Sequence, residues 1–572
     1  MVMRKLSVTL ITGRSFGQGI GKEYGRFSEK YTHVVRSCEM NRRDMETLGV
    51  SVGRFVRVKS SFGDTTVRVA EPSQDLAQGT VFMPYGPWAN TVVDPSTHGT
   101  GMPSLKGIPV ELEPSEAEIP EIFSTPASDA IVKPPQIDQT RIIENVVCPF
   151  CGCLCDDLEA FIRKDRIVTV EKACILSLSK FLNYERERIR APIVRKDGRA
   201  RTVHLDEAID YAAQRLAESK YAVSYGWSTT SNEAIRIGIE IAETIGGVID
   251  NTTSVCHGPA ILAEEDVGIS TCTLGNVKHR ADLVIYWGAN PLQSHPRHMA
   301  RYTIGSKGRF RSSREDRTMV VIDVRKTYTA RVADYFIQVQ PNKDYELLKA
   351  LRSSIRGNEL EQESVAGVKR ETVEELADMM VNCEFGMLFF GVGLTMTAGK
   401  LRNIDEAISL VDDLNAWTKF NIMPMRGHFN VAGANAVLSW QTGYPYAVDL
   451  SRGYPRYNPG ETSIIDVLSR GDSDIALIVG SDPLATFPSA IAKRLSQIPL
   501  IVIDPHRTYT SEKAEVVIPS APIGIEAEGT AHRMDGVPMM LKKLRDPPIG
   551  IRPDVEILQM MLDRVRKLKG LS

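Results

Sequence analysis

One segment of this sequence occurs twice, and the repetition constrains the fold more than any other feature. Residues 281–292 are matched by residues 473–484, and the likeness continues from residues 320–329 to residues 501–510. Each copy predicts a strand, a Gly-x-(Asn/Asp)-Pro turn, a helix, a second strand that ends in Asp, and a further short β run. Apolar strands that alternate with helices are typical of α/β proteins with a parallel sheet. The repeat therefore predicts an α/β fold built from two related halves.

The turns of the two copies are candidate nucleotide-binding sites. In open parallel sheets, ligands lie outside the carboxyl ends of the strands, where a Gly lets the backbone approach a phosphate and a terminal Asp accepts hydrogen bonds from a ribose or base. Two copies imply two nucleotide-like sites, whereas an ordinary βα loop would explain a single turn of this kind. The cofactor-binding candidates in this part of the chain are Gly288, Asn290, Pro291, Asp323, Arg325, Thr327, Gly391, Gly393, Gly480, Ser481, Asp482, Asp504 and Thr508.

Five of the nine cysteines lie in one short segment. Such clustering in a cytoplasmic protein of this size favours metal ligation over disulfide bonding. Cys148-x-x-Cys151-x-x-x-Cys155, followed by Cys174, supplies the four soft sulfur ligands that a cubane [4Fe-4S] cluster requires, and the spacing leaves Cys153 as non-ligating. A structural zinc site is the alternative, but zinc sites usually pair two Cys-x-x-Cys knuckles and the second knuckle is missing here.

A second group of candidate residues consists of a Cys-His pair and an arginine. Cys256 and His257 are followed by Gly and Pro, close to the repeat and with the cysteine segment ahead of them. A lone Cys is ordinarily a small buried hydrophobe, but a thiolate here could ligate a metal carried by a nucleotide-like cofactor, with His257 available for proton transfer. Arg426, in the Gly-rich segment 423–433, could hold a small carboxylate by two charge-assisted hydrogen bonds. A structural ion-pair arginine is the alternative.

The chain divides into regions of different composition. Residues 1–112 contain short β-prone runs separated by Gly and Asp turns, which predict a small β-barrel. Residues 113–141 are rich in Pro and acidic residues and predict an extended linker. We expect an iron–sulfur subdomain over residues 142–200 and the repeated α/β domains over residues 201–572.

Bulk properties exclude several classes of function. The formal net charge is -2, from 69 basic and 71 acidic residues, so no overall field draws the protein to nucleic acid or anionic lipid. The apolar run from Leu6 to Ile11 is too short for a signal-peptide core, and no stretch approaches the roughly 20 apolar residues of a membrane helix. We therefore expect a cytoplasmic protein that binds neither nucleic acid nor a membrane.

The combined motifs resemble the molybdopterin oxidoreductase family, and within it the formylmethanofuran dehydrogenases. Residues from about 144 to 540 are similar to the B subunit. The motifs that carry this resemblance are Cys-Pro-x-Cys-Gly-x-x-Cys at 148, Thr-Ser-Val-Cys-His-Gly-Pro at 253, Trp-Gly-Ala-Asn-Pro at 287, Arg-Gly-His-x-Asn at 426 and Glu-Gly-Thr-Ala-His-Arg-Met-Asp-Gly at 528. Residues 1–112 resemble the D subunit through Leu10–Arg14, Gln18-Gly, Cys38-x-x-Asn41-x-x-Asp44 and Pro87-x-x-Asn90.

This resemblance implies a fold and a cofactor. The fold would be that of molybdopterin oxidoreductases, with repeated parallel-sheet nucleotide-binding domains, an iron–sulfur subdomain and a small barrel that here comes first in the chain. Two molybdopterin guanine dinucleotides would hold tungsten or molybdenum, with Cys256 as the protein ligand and His257 and Arg426 at the catalytic positions. In the barrel, the implied cofactor-binding residues are Thr12, Gly13, Arg14, Gln18 and Asn90.

The resemblance also implies an activity and partners. The chain would reduce carbon dioxide reversibly to formate with electrons delivered through the [4Fe-4S] cluster. Formate would then pass to a separate amidohydrolase-like subunit for condensation with methanofuran, and a polyferredoxin or ferredoxin-like protein would carry the electrons. The alternatives are another molybdopterin-dependent formate dehydrogenase and a non-catalytic iron–sulfur electron-transfer scaffold.

Overall fold

Residues 6–115 form a closed six-stranded β-barrel in the computed structural model, which describes residues 5–123 and 140–571. Its strands are Leu6–Gly13, Ser37–Met40, Phe55–Lys59, Asp64–Ala70, Thr80–Pro84 and Lys106–Ser115. Apolar side chains alternate with polar ones, as in Val56 and Val58, which are buried between more exposed neighbours. The first strand closes the barrel by pairing in parallel with the fifth and antiparallel with the sixth. The prediction of an N-terminal barrel is confirmed.

The segment after the barrel runs toward the α/β body. The last barrel strand continues to Ser115, three residues into the predicted linker. The indole Nε1–H of Trp88 donates to the Pro120 carbonyl at 2.9 Å, and Phe123 stacks on Tyr509 with ring centroids 4.0 Å apart. The rest of the predicted linker, residues 124–139, lies outside the described residues.

A small antiparallel sheet carries the cysteine-rich segment. Its strands are Arg141–Val146, Leu158–Arg163 and Arg166–Glu171. The loop between the first two strands contains Cys148 to Cys155, and Cys174 caps the helix Ile175–Asn183, where its sulfur accepts from the Ser177 amide at 3.4 Å. Four of the five clustered cysteines therefore lie on one loop, and the fifth lies at the start of a helix that follows the sheet.

The first large sheet, called sheet I, has nine strands. In spatial order they are Arg199–Thr202, Ile193–Lys196, Val516–Ile518, Leu500–Ile503, Ile475–Val479, Ala222–Gly226, Val248–Asn251, Val448–Asp449 and Arg456–Tyr457. The five central strands, from Val516–Ile518 to Val248–Asn251, are parallel, and the flanking strands are antiparallel. The hairpin at residues 193–202 thus belongs to the edge of sheet I, although the sequence placed most of it in the iron–sulfur subdomain.

The second large sheet, called sheet II, is inserted between strands of sheet I. Its five parallel strands are Tyr335–Gln338, Thr318–Asp323, Leu283–Trp287, Phe385–Phe390 and Lys419–Pro424. Their order matches that of the five central strands of sheet I, so the sequence repeat is part of a larger structural repeat. The strands are apolar and largely buried, as expected of parallel strands covered on both faces. The predicted α/β fold with repeated parallel sheets is confirmed.

Helices cover both sheets with apolar faces. For example, helix Asn232–Ile245 buries seven Ile and Ala side chains and ends at Gly246, whose positive φ of 73° forms a left-handed cap. The helices of seven or more residues are Phe16–Glu23, Glu29–Val35, Arg42–Leu48, Ile175–Asn183, Leu205–Glu218, Asn232–Ile245, Gly258–Val267, Leu274–Arg280, Asp344–Ile355, Arg370–Asn382, Leu401–Leu414, Val431–Thr442, Ile464–Arg470, Ser489–Leu495 and Asp554–Leu568. Within the described ranges, no helix combines the length and apolar character needed to cross a membrane.

The barrel packs against the carboxyl ends of the strands of both sheets. On the sheet I side, the Asn90 amide donates to the Ala485 carbonyl at 3.1 Å, and the barrel core is continuous with that of sheet I. On the sheet II side, the Gln74 amide donates to Gln293 at 3.0 Å. The barrel therefore covers the edges at which open parallel sheets bind their ligands.

Candidate active site

Cys256 and Arg426 occupy equivalent places in the two halves of the fold. Cys256 follows the strand Val248–Asn251 of sheet I through a short 3-10 turn, and Arg426 follows the strand Lys419–Pro424 of sheet II. Each strand is the outermost of its five-stranded parallel set, so the structural repeat brings these two residues to the same region. Arg426 is among the charges that act on the Cys256 thiol. Burial raises the pKa of this thiol to about 11, and the positive charges of Arg14 and Arg426 oppose that rise.

His257 is completely buried beside Cys256 and begins the helix Gly258–Val267. Its Nε2 lies 3.3 Å from the Met425 carbonyl, which can only accept, so Nε2 carries the ring proton. Desolvation, with the charge of Arg426 as a second cause, lowers the pKa of His257 to about 3. The ring is therefore neutral, and Nδ1 is its bare nitrogen.

Arg426 is nearly buried and makes one distant ion pair. Its Nη2 lies 3.8 Å from Glu264 Oε1, a distance too long for a hydrogen bond. Glu264 lies two helical turns after His257, on the same face of the helix. Burial raises the pKa of Glu264, and the positive charge of Arg426 opposes the rise.

The five clustered cysteines line one cavity. It lies between the cysteine loop, the start of helix Ile175–Asn183 and Arg297. Across residues 5–123 and 140–571, no three Cys, His, Asp or Glu side chains converge as a single metal ion would require. The thiols are instead distributed around the cavity wall, and Cys153, which the spacing excluded as a ligand, is among them.

Burial disfavours free thiolates around this cavity. Desolvation raises the pKa of the Cys155 thiol to about 12 and that of the Cys148 thiol well above its ordinary value, whereas a hydrogen bond with Cys153 lowers the pKa of Cys151. Deprotonated sulfurs in such a place need a bound cation, and soft metals prefer sulfur ligands. The donor set and the cavity therefore fit an iron–sulfur cluster.

The cysteine loop touches the segment that carries Arg426. The backbones of Cys151 and His428 pair as an isolated antiparallel bridge. A Cβ added to Gly152 would lie 2.5 Å from the Arg426 carbonyl oxygen, so only glycine allows this close approach. The sequence contained both motifs but gave no sign that they meet.

The two Gly-x-(Asn/Asp)-Pro turns are built alike. Gly288 and Gly480 have φ values of 56° and 58°, a left-handed conformation that favours glycine. Each amide donates across to the next strand, at 2.8 Å to the Ile322 carbonyl and 2.9 Å to the Ile503 carbonyl. The repeated sequence therefore forms the same local structure in both sheets.

The side chains of the turns differ in their partners. In the first turn, Asn290 accepts from Thr329 Oγ1 at 2.7 Å and donates to Gln74 of the barrel at 2.8 Å. In the second turn, Asp482 accepts from the amide and hydroxyl of Thr510 at 2.9 and 2.7 Å, and it pairs with Arg26 of the barrel at 2.9 Å. The first turn thus contacts the barrel through an amide hydrogen bond, and the second turn contacts it through an ion pair. Pro291 follows Asn290 at the first position of a short helix, which its fixed φ suits.

The Asp residues that end the second strands are also equivalent. Asp323 Oδ1 accepts from the Arg325 amide at 3.3 Å, and Asp504 Oδ1 accepts from the His506 amide at 2.8 Å. Burial raises the pKa of both, that of Asp504 to about 6. The Arg325 guanidinium lies 4.2 Å over the ring of Phe82 in the barrel.

Two further predicted residues, Thr327 and Thr508, organise the following turns. Thr327 Oγ1 accepts from the Ala330 amide at 3.2 Å. Thr508 forms a reciprocal capping box with Ser511 at the start of a short helix. Both threonines are buried, and the hydroxyl of each accepts a hydrogen bond from a backbone amide three residues further along the chain.

Three of the predicted glycines serve packing between neighbouring strands. Gly393 donates its amide to the Gly288 carbonyl at 3.0 Å, and a Cβ on Gly288 would lie 2.7 Å from the Gly393 Cα. Gly391 donates to the Trp287 carbonyl at 3.0 Å. In sheet I, Thr229 Oγ1 donates to the Gly480 carbonyl at 2.6 Å, and Ser481 packs against Gly226 at the end of the strand Ala222–Gly226. Close backbone packing is therefore one requirement for glycine at positions 288, 391 and 393.

Three of the predicted barrel residues, Gly13, Thr12 and Gln18, form hydrogen bonds within the barrel. Gly13 accepts from the Tyr85 amide at 2.7 Å, and Thr12 Oγ1 donates to the Leu105 carbonyl at 2.5 Å. Gln18 donates to the Tyr85 carbonyl, and Arg14 is close enough to influence the pKa of Cys256. The barrel thus contributes a cation to the surroundings of the thiol.

Four cations lie near His428, and sequence reasoning indicated only Arg14 among them. Arg14, Lys22, Arg26 and Lys180 all lower the pKa of this histidine, after desolvation as the largest cause. Lys22 is accessible to solvent, yet desolvation lowers its pKa to about 8, as expected of a side chain that lines a cleft. Lys180 donates to the Pro149 carbonyl at 2.8 Å, which joins the cleft to the cysteine loop. No local motif indicated Lys22, Arg26 or Lys180, because barrel and α/β residues far apart in the chain meet here.

Several predicted site residues carry a buried polar atom that has no hydrogen-bond partner within the described part of the chain. These atoms are Gln18 Oε1, Asn90 Oδ1, His257 Nδ1, Arg325 Nη1 and Arg426 Nε. Asp482 Oδ2 also lacks a hydrogen bond of good geometry, but it forms an ion pair with Arg26. Buried polar atoms are normally hydrogen-bonded. Together with the cations of the cleft, they fit a large polar anionic group bound between the barrel and the two sheets.

Comparisons with known proteins agree with this arrangement. Residues 188–564 match the molybdopterin oxidoreductase family model, and residues 8–109 match the molybdopterin dinucleotide binding domain. The chain is 50% identical over 432 residues to the B subunit of tungsten-containing formylmethanofuran dehydrogenase 2 from Methanocaldococcus jannaschii, covering 75% of this chain and 99% of the relative. Its N-terminal part is 41% identical over 118 residues to protein FwdD of the same organism, covering 20% of this chain and 89% of that protein.

A solved structure shares the fold. It is the formyltransferase/hydrolase complex of Methylorubrum extorquens, determined with methylofuran, and one of its chains aligns with this protein at a TM-score of 0.54 and 22% identity. The alignment covers 67% of this chain and all of the other. At this identity the likeness concerns the fold alone.

The chain therefore belongs to the molybdopterin oxidoreductase family, a class of enzymes. Within that family it groups with the B subunits of formylmethanofuran dehydrogenases, and it carries at its N-terminus a barrel similar to FwdD. Membership implies a molybdopterin cofactor that holds tungsten or molybdenum. The family resemblance predicted from the sequence is confirmed.

Proposed function

We propose that this chain is the catalytic subunit of a formylmethanofuran dehydrogenase that reversibly reduces carbon dioxide to formate. The net reaction takes up two electrons and one proton for each carbon dioxide converted to formate. When bound, the tungsten or molybdenum pterin cofactor supplies a two-electron redox centre. The observation that supports this proposal most is the convergence of Cys256, His257 and Arg426 at equivalent strand ends of the two halves, beneath the barrel.

Arg426 is proposed to hold the carboxylate of formate. Its Nε has no partner within the described residues, and its single ion pair to Glu264 is long, so N–H groups remain for a forked pair of charge-assisted hydrogen bonds. Glu264 offsets the buried charge of Arg426 without competing closely for those donors. Removal of Arg426 would therefore weaken binding of a small carboxylate.

His257 is proposed to manage the proton. Its Nε2–H is directed to the Met425 carbonyl, so Nδ1 is the nitrogen that can accept a proton from the reacting group. The Met425 contact also fixes the ring plane and the tautomer. Cys256 is proposed as the protein ligand of tungsten or molybdenum.

The remaining site residues are proposed as cofactor ligands. Cys148, Cys151, Cys155 and Cys174 would hold a [4Fe-4S] cluster that delivers electrons one at a time. Two molybdopterin guanine dinucleotides would use the two turns, with the cations of the cleft near their phosphates. The proposed ligands of the dinucleotides are Thr12, Gly13, Arg14, Gln18, Asn90, Gly288, Asn290, Pro291, Asp323, Arg325, Thr327, Gly391, Gly393, Gly480, Ser481, Asp482, Asp504 and Thr508.

The proposed function also assigns domains, partners and a compartment. The predicted division has the barrel at residues 1–112, the linker at 113–141, the iron–sulfur subdomain at 142–200 and the α/β domains at 201–572. We assign the hairpin of residues 193–202 to the α/β domains, because it pairs with sheet I. An amidohydrolase-like subunit would condense formate with methanofuran, and a polyferredoxin or ferredoxin-like carrier would supply electrons. The complex would work in the cytoplasm. The relatives named as subunits and the solved formyltransferase/hydrolase complex support a multisubunit assembly.

The test is formate oxidation with a viologen acceptor by the Cys256→Ala variant. We expect activity to be abolished, because the variant removes the thiolate from the reaction centre. Cys383→Ala is the matched control, since Cys383 caps helix Arg370–Asn382 and its thiol donates to the Met380 carbonyl of that helix. Retained activity in Cys256→Ala would remove Cys256 from the mechanism.

Two measurements separate the alternatives. Pterin and metal analysis of the purified protein distinguishes an enzyme from an electron-transfer scaffold, which would lack the pterin. Formation of formylmethanofuran from carbon dioxide by the assembled complex distinguishes the proposal from an ordinary formate dehydrogenase, which would stop at formate.

A further inference from the structure

The carbonyl oxygen of Arg426 is held by a buried histidine outside the Cys-His and Arg-Gly-His motifs. His295 Nε2 lies 2.9 Å from this oxygen, and the residue is 2% exposed. His257 holds the preceding carbonyl, that of Met425, in the same manner. Two consecutive peptide groups at the candidate substrate arginine are therefore fixed by two imidazole rings.

The tautomer of His295 follows from its two neighbours. A carbonyl can only accept, so Nε2 must carry a proton that it donates to Arg426. Burial lowers the pKa of His295 to about 4, which keeps the ring neutral and leaves Nδ1 bare. Nδ1 then accepts from the Ser294 hydroxyl, whose oxygen is 2.8 Å away. Ser294 belongs to the short helix that follows the first Gly-Ala-Asn-Pro turn.

The repeat shows that the fold does not require histidine at this position. In the second copy, the residue equivalent to His295 is Phe487, and both are followed by proline. Phe487 is fully buried and packs edge-on against Tyr225 with centroids 5.0 Å apart. An apolar ring thus serves the same structural place in sheet I, whereas sheet II has a hydrogen-bond donor aimed at Arg426.

His295 also connects two parts of the site. Its helix starts at Asn290, whose side chain bonds to Gln74 of the barrel and to Thr329. A change in this turn would move the imidazole, and the imidazole would move the peptide group from which the Arg426 side chain extends. The contact therefore runs from the barrel and the first nucleotide turn to the arginine.

We propose that His295 is a positioning residue that sets the direction of the Arg426 guanidinium and couples the first nucleotide turn to binding of the carboxylate substrate. The proposal rests on the proposed function for the role of Arg426. The coupling between the turn and the Arg426 segment is a property of the chain and can be measured separately.

Two variants of the holoenzyme test the donor. His295→Gln places an amide N–H where Nε2 lies and keeps the donor, whereas His295→Asn replaces only the Nδ1 side and loses it. We expect His295→Asn to raise the KM for formate about 10-fold or more, because a buried acceptor loses its partner, with a smaller change in kcat. His295→Gln should keep the KM within about 3-fold of the wild-type value, because the Arg426 carbonyl retains its hydrogen-bond donor.

His298→Asn is the matched control. His298 is also fully buried, and its ring bonds to the Tyr286 hydroxyl at 3.1 Å instead of to the Arg426 segment. We expect this variant to lower thermal stability without raising the KM. An equal rise in KM for His295→Asn and His298→Asn would overturn the proposal, because it would reflect general disruption of the core.

Hydrogen exchange gives a readout that does not depend on the reaction. We expect faster exchange across residues 423–430 in His295→Asn than in His295→Gln, at equal tungsten or molybdenum, pterin and iron contents. Unchanged exchange would overturn the coupling even if the enzyme oxidises formate. Faster exchange in a protein that does not oxidise formate would retain the coupling and reject the proposed function instead.

Discussion

Replacement of Gly152 by alanine perturbs the contact between the cysteine loop and Arg426 with a single methyl group. Gly152 does not have a positive φ, so alanine is compatible with its backbone conformation. The new Cβ would lie 2.5 Å from the Arg426 carbonyl oxygen and 3.4 Å from the Met534 Cβ. The first contact cannot persist, because the opposing atom belongs to the backbone.

The size of the displacement follows from the contact distance. Non-bonded heavy atoms are most stable at about 3.5 Å, so the Arg426 peptide must retreat by about 1 Å. A misplacement of about 1 Å at a substrate-orienting group costs on the order of 100-fold in rate. His295 and the Cys151–His428 bridge oppose the shift, so part of the strain would be shared with the cysteine loop.

The assay is formate oxidation by the Gly152→Ala holoenzyme, together with iron, tungsten or molybdenum, and pterin contents. We expect kcat/KM to fall by about 100-fold while the cofactor contents remain near those of the wild type. Gly275→Ala is the control, because a Cβ there makes only an ordinary 3.4 Å contact within the surface helix Leu274–Arg280. This control should retain full activity.

Activity of Gly152→Ala within about 3-fold of the wild type would refute the predicted loss of roughly 100-fold. It would mean that the close approach of Gly152 does not constrain the position of Arg426. Loss of iron together with activity would instead show that the cysteine loop, and not the arginine segment, takes up the displacement.

Three other changes test separate parts of the structure. Arg26→Gln leaves the buried Asp482 carboxylate without its cation and should destabilise the docked barrel by about 3 kcal/mol or more. Arg42→Gln, which removes an exposed ion pair, should leave the melting temperature unchanged. Equal melting temperatures for the two variants would contradict the prediction. Burial raises the pKa of Asp250 to about 6, so its protonated form contributes up to roughly 3 kcal/mol to the free energy of unfolding below about pH 4, and this contribution is lost as the pH rises to about 6. An Asp250→Asn variant should lack this pH-dependent loss of stability. Identical pH profiles for the variant and the wild type would contradict the prediction. Cys155→Ser should lower the iron content and Cys153→Ser should not; the reverse result would reassign the cluster ligands.

Much of the fold could be predicted because its signals are local. The Gly-x-(Asn/Asp)-Pro turns recur with their flanking apolar strands, and strand and turn preferences act within a few residues. The same holds for the cysteine spacing and for the alternating strands of the barrel. The sequence does not reveal the larger five-strand repeat, because the matching strands occur in a different chain order in the two halves. In sheet I, strands Ala222–Gly226 and Val248–Asn251 come before the repeated segment, whereas in sheet II the matching strands Phe385–Phe390 and Lys419–Pro424 come after it.

The details of the site depended on tertiary contacts. Gly391 and Gly393, which the sequence predicts as ligands, also pack closely against Gly288 and its neighbours, a contact that the sequence did not indicate. His295 carried no motif of its own, and the Lys22 and Lys180 cations became neighbours only when the barrel docked on the α/β body.

The sequence by itself determined the two related halves, the cysteine-rich loop and the individual candidates Cys256, His257 and Arg426, because each depends on residue types at short spacing. Only the tertiary structure decided that the two outer strands bring these residues together, and that Gly152 and His295 hold the arginine segment from two sides. The physical reason is that such contacts join residues far apart in the chain, and their geometry is set by sheet packing and barrel docking.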